Sequence, residues 1–279
     1  IEKYTAMRQI IRILLLSACL AILAVLFPKC VKYPEKDWVK IVTDMKDTKE
    51  SWYLEYDYKG RLVQYGETPI DYLDDQIVVG EMGWISQKEK LIGATYDLSD
   101  GKIVRCVSRN LINVDSVWVE VKKHIHYRWE KDTLFMDSQF YSAKDNRLLR
   151  TVAARYVYDS QHRLTDVMSR YIHSEGDESA CHSYFYYNNN LNYESNLNMQ
   201  AFYADCEGLD TYFFFLLNES PTHATRALPN YIRHCVNHGK ATYGAEALYR
   251  MEGEQPVRME IISEEIKLKA RFEFVYYDE

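Results

Sequence analysis

Apolar and polar side chains take turns along most of the chain. The C-terminal segment shows it most plainly, with Ile266, Leu268, Ala270, Phe272, Phe274 and Tyr276 alternating with Lys267, Lys269, Arg271 and Glu273. A period of two places one set on each face of an extended strand. The same alternation sets Val117, Val119 and Val121 against Trp118, Glu120 and Lys122, and runs on through Ile125, Tyr127 and Trp129 opposite His126, Arg128 and Glu130. Such segments exceed the usual strand of about five or six residues, so the sheet they build is tall, with one face buried and one wet.

Turns between these segments share a grammar. Tyr56 to Leu62, Tyr96 to Ile103 and Tyr158 to Leu164 each leave a strand through an aromatic, turn on Asp plus a residue that tolerates left-handed geometry, and return through a basic residue and an aliphatic. Degenerate copies run from Tyr141 to Leu148, Tyr187 to Leu191 and Tyr249 to Val257. Asp and Asn bond their own backbone in tight turns, which makes these hairpin signals. Their Tyr rows suit a half-exposed pleated surface, and a carbohydrate or peptide platform is the functional alternative. The pattern therefore predicts a mainly β chain, a long antiparallel meander without an internal domain boundary.

One stretch departs from it. Phe202, Cys206, Leu209, Phe213, Leu216 and Leu217 recur at helical spacing within residues 198–218, and Asp205, Glu207 and Asp210 fall on the solvent side or in the N-terminal half. This predicts one amphipathic helix that buries its stripe on the concave side of a curved sheet.

The N-terminal stretch is of another kind. From Met7, Arg8 and Arg12 precede a fifteen-residue apolar run, Ile13 to Phe27, broken only by Ser17, which has the form of an export signal. Residues 1–30 are read as a signal peptide or retained membrane anchor helix, 31–50 as linker and first turn, and 51–279 as the meander domain. Two cysteines are alternative lipid attachment sites: Cys19 follows the better motif, Leu16-Ser17-Ala18, whereas Cys30 has the better position, where the apolar run ends. The expected location is the bacterial cell envelope, outer membrane or periplasm, with the membrane as a partner through the N-terminal segment.

Composition narrows the classes. The 24 Tyr against 11 Gly and 6 Pro favour strands and leave little for phosphate-cradling loops. A formal net charge of −7, more acidic still without the basic N-terminal segment, provides no field for nucleic acid, and no nucleic-acid role is read. Cys106, Cys181, Cys206 and Cys235 lie beyond the anchor, with no diagnostic spacing to choose among their three possible pairings.

Certain segments carry a resemblance. The Tyr-Asp turns loosely resemble the tyrosine-aspartate repeats of large secreted Rhs-type proteins. Leu197 to Phe202, the aromatic stretch after it, and Ala227-Leu228-Pro229-Asn230-Tyr231-Ile232 before the last hairpin resemble an uncharacterised family of Bacteroidota envelope lipoproteins with a porin-like fold. In that family an Asn-Leu-Asn strand start precedes a short helix, a Leu-Pro start opens the next strand, and a Tyr-rich hairpin closes the chain. The resemblance implies an open or partly closed barrel, exported and usually lipidated, with no activity or site to carry over.

Little catalytic chemistry is visible. His234, Cys235 and His238 have metal-ligand types, yet on a strand His234 and His238 share a face and Cys235 opposes them, so His234 and His238 are weak metal candidates. Cys181-His182 faces apart on a strand, His124 and His126 share a face, and Asp74, Asp75, Glu264 and Glu265 are carboxylates without a known separation. No catalytic residue and no cofactor is assigned. The expected function is non-enzymatic, a scaffold or a module binding an unknown protein or small molecule; the alternative is a glycan- or lipid-directed hydrolase with carboxylates or histidines inside the curve.

Overall fold

The structure, a computed structural model, describes residues 38–277 apart from 46–47, 82–88, 115, 175, 189–190, 194–196, 205–207, 218–226 and 237–240. Sixteen strands form one closed antiparallel barrel. They are β1 (Trp38–Met45), β2 (Thr48–Tyr56), β3 (Leu62–Tyr65), β4 (Thr68–Tyr72), β5 (Gln76–Val79), β6 (Glu89–Ser99), β7 (Lys102–Val114) and β8 (Val117–Glu130). The other half is β9 (Thr133–Ser142), β10 (Leu148–Tyr158), β11 (Leu164–His173), β12 (Glu178–Tyr186), β13 (Tyr231–Val236), β14 (Ala241–Glu252), β15 (Gln255–Ser263) and β16 (Leu268–Tyr277). Each strand pairs with the next, and β1 closes the ring on β16 with Ile41 opposite Phe274. The predicted meander thus closes completely, which leaves no sheet edge to protect. The wall starts at Trp38, inside the stretch read as linker and first turn.

The alternation is realised in the long strands. On β8, Val121, Ile125 and Tyr127 face inward and are buried, and β16 buries Ala270 and Phe274. Ile266 and Lys267 are not part of that strand: they form the β15–β16 turn, where Lys267 takes a positive φ of 51° and Ile266 is exposed. The outer wall carries opposite charges across neighbouring strands. Arg258 meets Glu273 at 3.1 Å, Arg271 meets Glu260 at 2.9 Å, Arg109 meets Glu120 at 2.5 Å and Arg170 meets Glu178 at 2.6 Å. Such cross-strand pairs suit an aqueous surface, because charges on a lipid-facing wall are strongly disfavoured near the bilayer midplane.

The turn grammar resolves into two geometries. In the β2–β3 and β10–β11 turns one Asp oxygen accepts two backbone N–H groups, those of Lys59 and Arg61 for Asp57 and of Gln161 and Arg163 for Asp159. The other oxygen takes the Arg side chain four residues on. The β6–β7 turn differs. Its strand runs on to Ser99, and the turn is made by Asp100 and Gly101, both at positive φ (51° and 71°), the geometry that matches the twist of a two-residue hairpin. The Tyr187 to Leu191 copy is not a hairpin; there the chain leaves the wall between β12 and β13.

What leaves the wall enters the barrel. The predicted helix over 198–218 is two pieces, α1 (Gln200–Tyr203) and α2 (Leu209–Leu217), separated by Gly208 at φ +95°. It is not amphipathic either. Leu209, Asp210, Thr211 and every residue from Phe213 to Leu217 are buried, because a closed wall surrounds the helix where a concave sheet would have left one side wet.

Burial alone would push the Asp159 carboxyl up, but the Arg163 and Gln161 hydrogen bonds outweigh it and hold the group below its usual value. A lowered folded value means stabilisation that is full at neutral pH and lost as pH falls through that value. Asp159→Asn should therefore destabilise by about 1 kcal/mol at neutral pH. Urea unfolding should show the difference from wild type narrowing below about pH 4; an equal difference at low and neutral pH would contradict this assignment.

Candidate functional site: the filled lumen

The insert spans the barrel's cross-section. Phe213 packs on Tyr65 of β3, Phe214 stacks on Tyr127 of β8 at 4.1 Å between ring centroids, and Phe215 meets Tyr156 of β10 edge-on. On the far side Phe202 contacts Phe272 and Phe274 of β16, and Tyr203 lies near Phe185 of β12. Phe213, Phe214 and Phe215 are all 0% exposed. The abundant tyrosines find their use here. Tyr56, Tyr96 and Tyr156 are almost fully buried, pointing inward rather than lying on a half-exposed platform. A Tyr is long enough to reach from wall to insert and ends in a group that must be bonded when buried. Tyr96 donates to the Asp210 carbonyl at 2.7 Å, and Tyr158 accepts from Gln200 Nε2 at 2.6 Å.

The head of α2 is held by charge. Lys123 of β8, almost fully buried, donates to Asp210 Oδ1 at 2.8 Å and to Glu89 Oε1 at 2.5 Å. Glu89 Oε2 in turn accepts the Leu209 N–H at 3.2 Å, supplying from the wall the cap that the helix lacks in sequence. Burial would lower the Lys123 value, but its two carboxylates outweigh it and hold the ammonium above its ordinary value; burial raises Asp210 despite Lys123. Gly208 makes the close approach possible: a Cβ there would lie 2.6 Å from Lys123 Nζ. Helical spacing sets Asp210 on the solvent side or in the N-terminal half of the predicted helix, whereas the wall encloses it completely, and Lys123 has no assigned role in the sequence pattern. The available signal was Lys123's place in the inward row between Val121 and Ile125, where alternation calls for an apolar residue.

The segments that carried the family resemblance hold the insert in place. Asn198 caps the Gln200 N–H at 3.0 Å through Oδ1 and donates Nδ2 to the Phe215 carbonyl at 2.7 Å, tying α1 to α2; it starts no strand. Asn230 marks the return to the wall, its N–H on the Tyr186 carbonyl at 2.9 Å and its Oδ1 accepting from the Asn188 N–H at 2.7 Å.

Other candidates are dispersed. His234 sits on β13 with Nδ1 2.7 Å from Ser183 Oγ, an inward pair in which Ser183 is 0% exposed and both strands' backbones are engaged in the sheet. His238, Cys206, Cys19 and Cys30 lie outside the described residues. Cys235 faces the opposite way to His234, within 3.6 Å of Thr242 Oγ1, and Cys106 is buried in the core. His182 lies 3.2 Å from Asp166, and His124 packs against Tyr141 on the outer wall. Asp74 and Asp75 fall in the β4–β5 turn and Glu264 and Glu265 in the β15–β16 turn, at opposite rims. Among the described residues no group of three or more His, Cys, Asp or Glu is placed to hold a metal.

A barrel of sixteen antiparallel strands closed on itself defines the class of fold. A family model matches residues 39–274. A porin-like protein from Bacteroides vulgatus is 36% identical, with a TM-score of 0.77 over 85% of this chain and 97% of that one. The chain belongs to the porin-like family that this protein represents. A second porin-like protein, from Bacteroides uniformis, shares the fold at 12% identity, with a TM-score of 0.52 over 87% of this chain and 96% of that one. No curated protein matches the chain.

Removing one partner of a buried charge cluster leaves the others uncompensated, so Lys123→Met should cost about 3–5 kcal/mol in urea unfolding. Combining it with Asp210→Asn and Glu89→Gln should recover much of that loss; a triple variant no more stable than Lys123→Met alone would refute the latch. Gly208→Ala should cost at least about 1 kcal/mol from its positive φ alone, and a neutral effect would mean that the head of α2 is not seated against Lys123.

Proposed function

We propose that this protein is a non-enzymatic binding or scaffold module of the bacterial cell envelope, exported and held at a membrane by its N-terminal segment, with a barrel that does not conduct. The observation that carries the reading is the lumen itself: the aromatic residues of α2 and the wall's tyrosines occupy the space that a pore would need. The outer wall supports it, since rows of paired charges suit an aqueous surface and not an acyl one. The porin-like relatives from Bacteroides support an envelope role. The export-type sequence from Met7 to Phe27, with Cys30 and Cys19 as alternative lipid sites, supports anchoring by the N-terminal segment. The Tyr-Asp turns are read as hairpin devices, in keeping with the Asp-centred hydrogen bonds at Asp57 and Asp159.

A hydrolase reading has less to draw on. Two inward carboxylates, the buried Asp210 and the half-buried Glu89, are both tied to one ammonium, which removes them from acid-base work on a substrate.

Two measurements test the proposal. Full-length protein added to planar lipid bilayers should give no stepwise conductance, and discrete channel openings would overturn the non-conducting reading. Intact-mass analysis of the mature chain from a native envelope fraction should find an acylated Cys30 or Cys19 or an intact N-terminal anchor; a cleaved, unmodified soluble end would overturn the membrane attachment.

A further inference from the structure

The ring closes through β1 and β16, yet the ladder between β15 and β16 stops short of the rim. It runs from the Ser263–Leu268 pair only as far as Arg258–Glu273, whereas β16 stays paired with β1 all the way to Tyr277. From Phe274 to Tyr277 the sheet ladder therefore lies on one side of β16 alone. The other side is a short length of strand edge.

The cause lies in β15. Arg250 of β14 stands opposite Arg258 and Met251 stands opposite Pro256, which leaves Val257 as an extra residue, a β-bulge. A bulge bends the strand that carries it and steepens its twist, so the tip of the β14–β15 hairpin swings away from β16. The gap is spanned rather than frayed. The Tyr276 hydroxyl crosses it to donate to the Pro256 carbonyl at 2.9 Å, and where the ladder ends the Arg258 guanidinium meets Glu273 at 3.1 Å.

What results is a cleft of about 350 Å³, at the small end of the range for ligand pockets. Val257, Val275 and Tyr276 contribute its apolar lining, and Arg250, Glu252 and Gln255 line it toward the hairpin tip. Its charges cancel. Arg250 is answered by Glu252 at 3.0 Å and Arg258 by Glu273, so the lining presents no net field to a free anion or cation.

We propose that this cleft takes an extended segment of another polypeptide, which adds to the open length of β16 as a short strand. A strand edge offers N–H and C=O groups at a strand's own spacing, about 3.3 Å per residue, and an extended backbone is the ligand that matches it. The four residues of edge give roughly 13 Å, room for three or four residues of the incoming strand. Its side chains then alternate between the apolar lining and the paired charges, which favours a sequence that alternates aliphatic with charged or hydroxyl residues. Pairing with β1 already holds the edge extended, so little ordering is left for the moment of binding. This gives a site to the binding half of the proposed function and rests on that half alone.

The test is titration of the nitrogen-15-labelled full chain, in detergent, with the blocked peptide Ac-Glu-Val-Thr-Val-Lys-NH2, read by amide chemical shifts. Saturable shifts should appear at Val275, Tyr277 and the β14–β15 tip, with an apparent Kd of about 1 mM or tighter. The same peptide N-methylated at its three central residues cannot form ladder bonds from either edge, and it should bind at least about tenfold more weakly. Tyr276→Phe, which loses the bond across the gap, should weaken binding of the unmethylated peptide by about tenfold. No saturable shift, or equal binding of the methylated peptide, would overturn the proposal. Shifts at these residues with cellobiose but not with the peptide would overturn it in favour of a sugar site, and concentration-dependent shifts there without any peptide would make a second copy of the chain the occupant. Should Tyr276→Phe fail to fold, the methylated peptide on the unmodified chain still decides it. A negative titration strikes this site and leaves the scaffold reading to the conductance and mass measurements, so the two failures are told apart.

Discussion

Closing sixteen strands into one barrel creates a lumen wider than wall side chains can fill, and everything else in this molecule answers that constraint. Barrels of this size elsewhere leave an aqueous channel. Here the chain between β12 and β13 turns inward and supplies the missing volume, so that Phe213, Phe214 and Phe215 lie where water would otherwise stand. Tyr96 and Tyr158 extend the same solution, reaching inward to the insert and ending in hydrogen bonds to it.

A helix almost wholly enclosed by the wall brings its polar ends with it. At the head of α2 the wall provides Glu89 for one N–H group and Lys123 for the Asp210 carboxylate. Such a cluster is expensive to bury and contributes little net stability against an apolar replacement, but it fixes register: few positions of the helix satisfy all three charges at once. Gly208 is part of that fit, since a side chain there would displace the ammonium. Function and fold meet at this point, because whatever keeps α2 seated also keeps the lumen shut.

Much of the wall was legible in the sequence, because a period of two reports directly which side chains share a face. The β8 and β16 rows and the Asp57 and Asp159 turns follow from local chemistry alone. Closure was not legible, since no local signal states how many strands complete a ring or that β1 meets β16. That failure propagated to the helix. Apolar spacing over 198–218 implied a stripe with a wet side, and only a closed wall explains why Asp210 is buried. The site was legible in outline through a single anomaly, Lys123 in an apolar row, while its partners Glu89 and Asp210 lie too far apart in sequence to suggest a cluster. Asn198 and Asn230, read first as family motifs, turn out to be the pins at which the chain is tied inside the lumen and returns to the wall.

The wall encloses α2 rather than offering it a surface to rest on. Native-state hydrogen exchange read on the peptide covering Leu209 to Leu217 tests it most directly, because amides inside a closed barrel exchange only when the barrel itself opens. Protection should equal that of the β7 and β8 amides, with a shared dependence on denaturant. Exchange of these amides at the rate of an exposed surface helix, with the wall still protected, would contradict it.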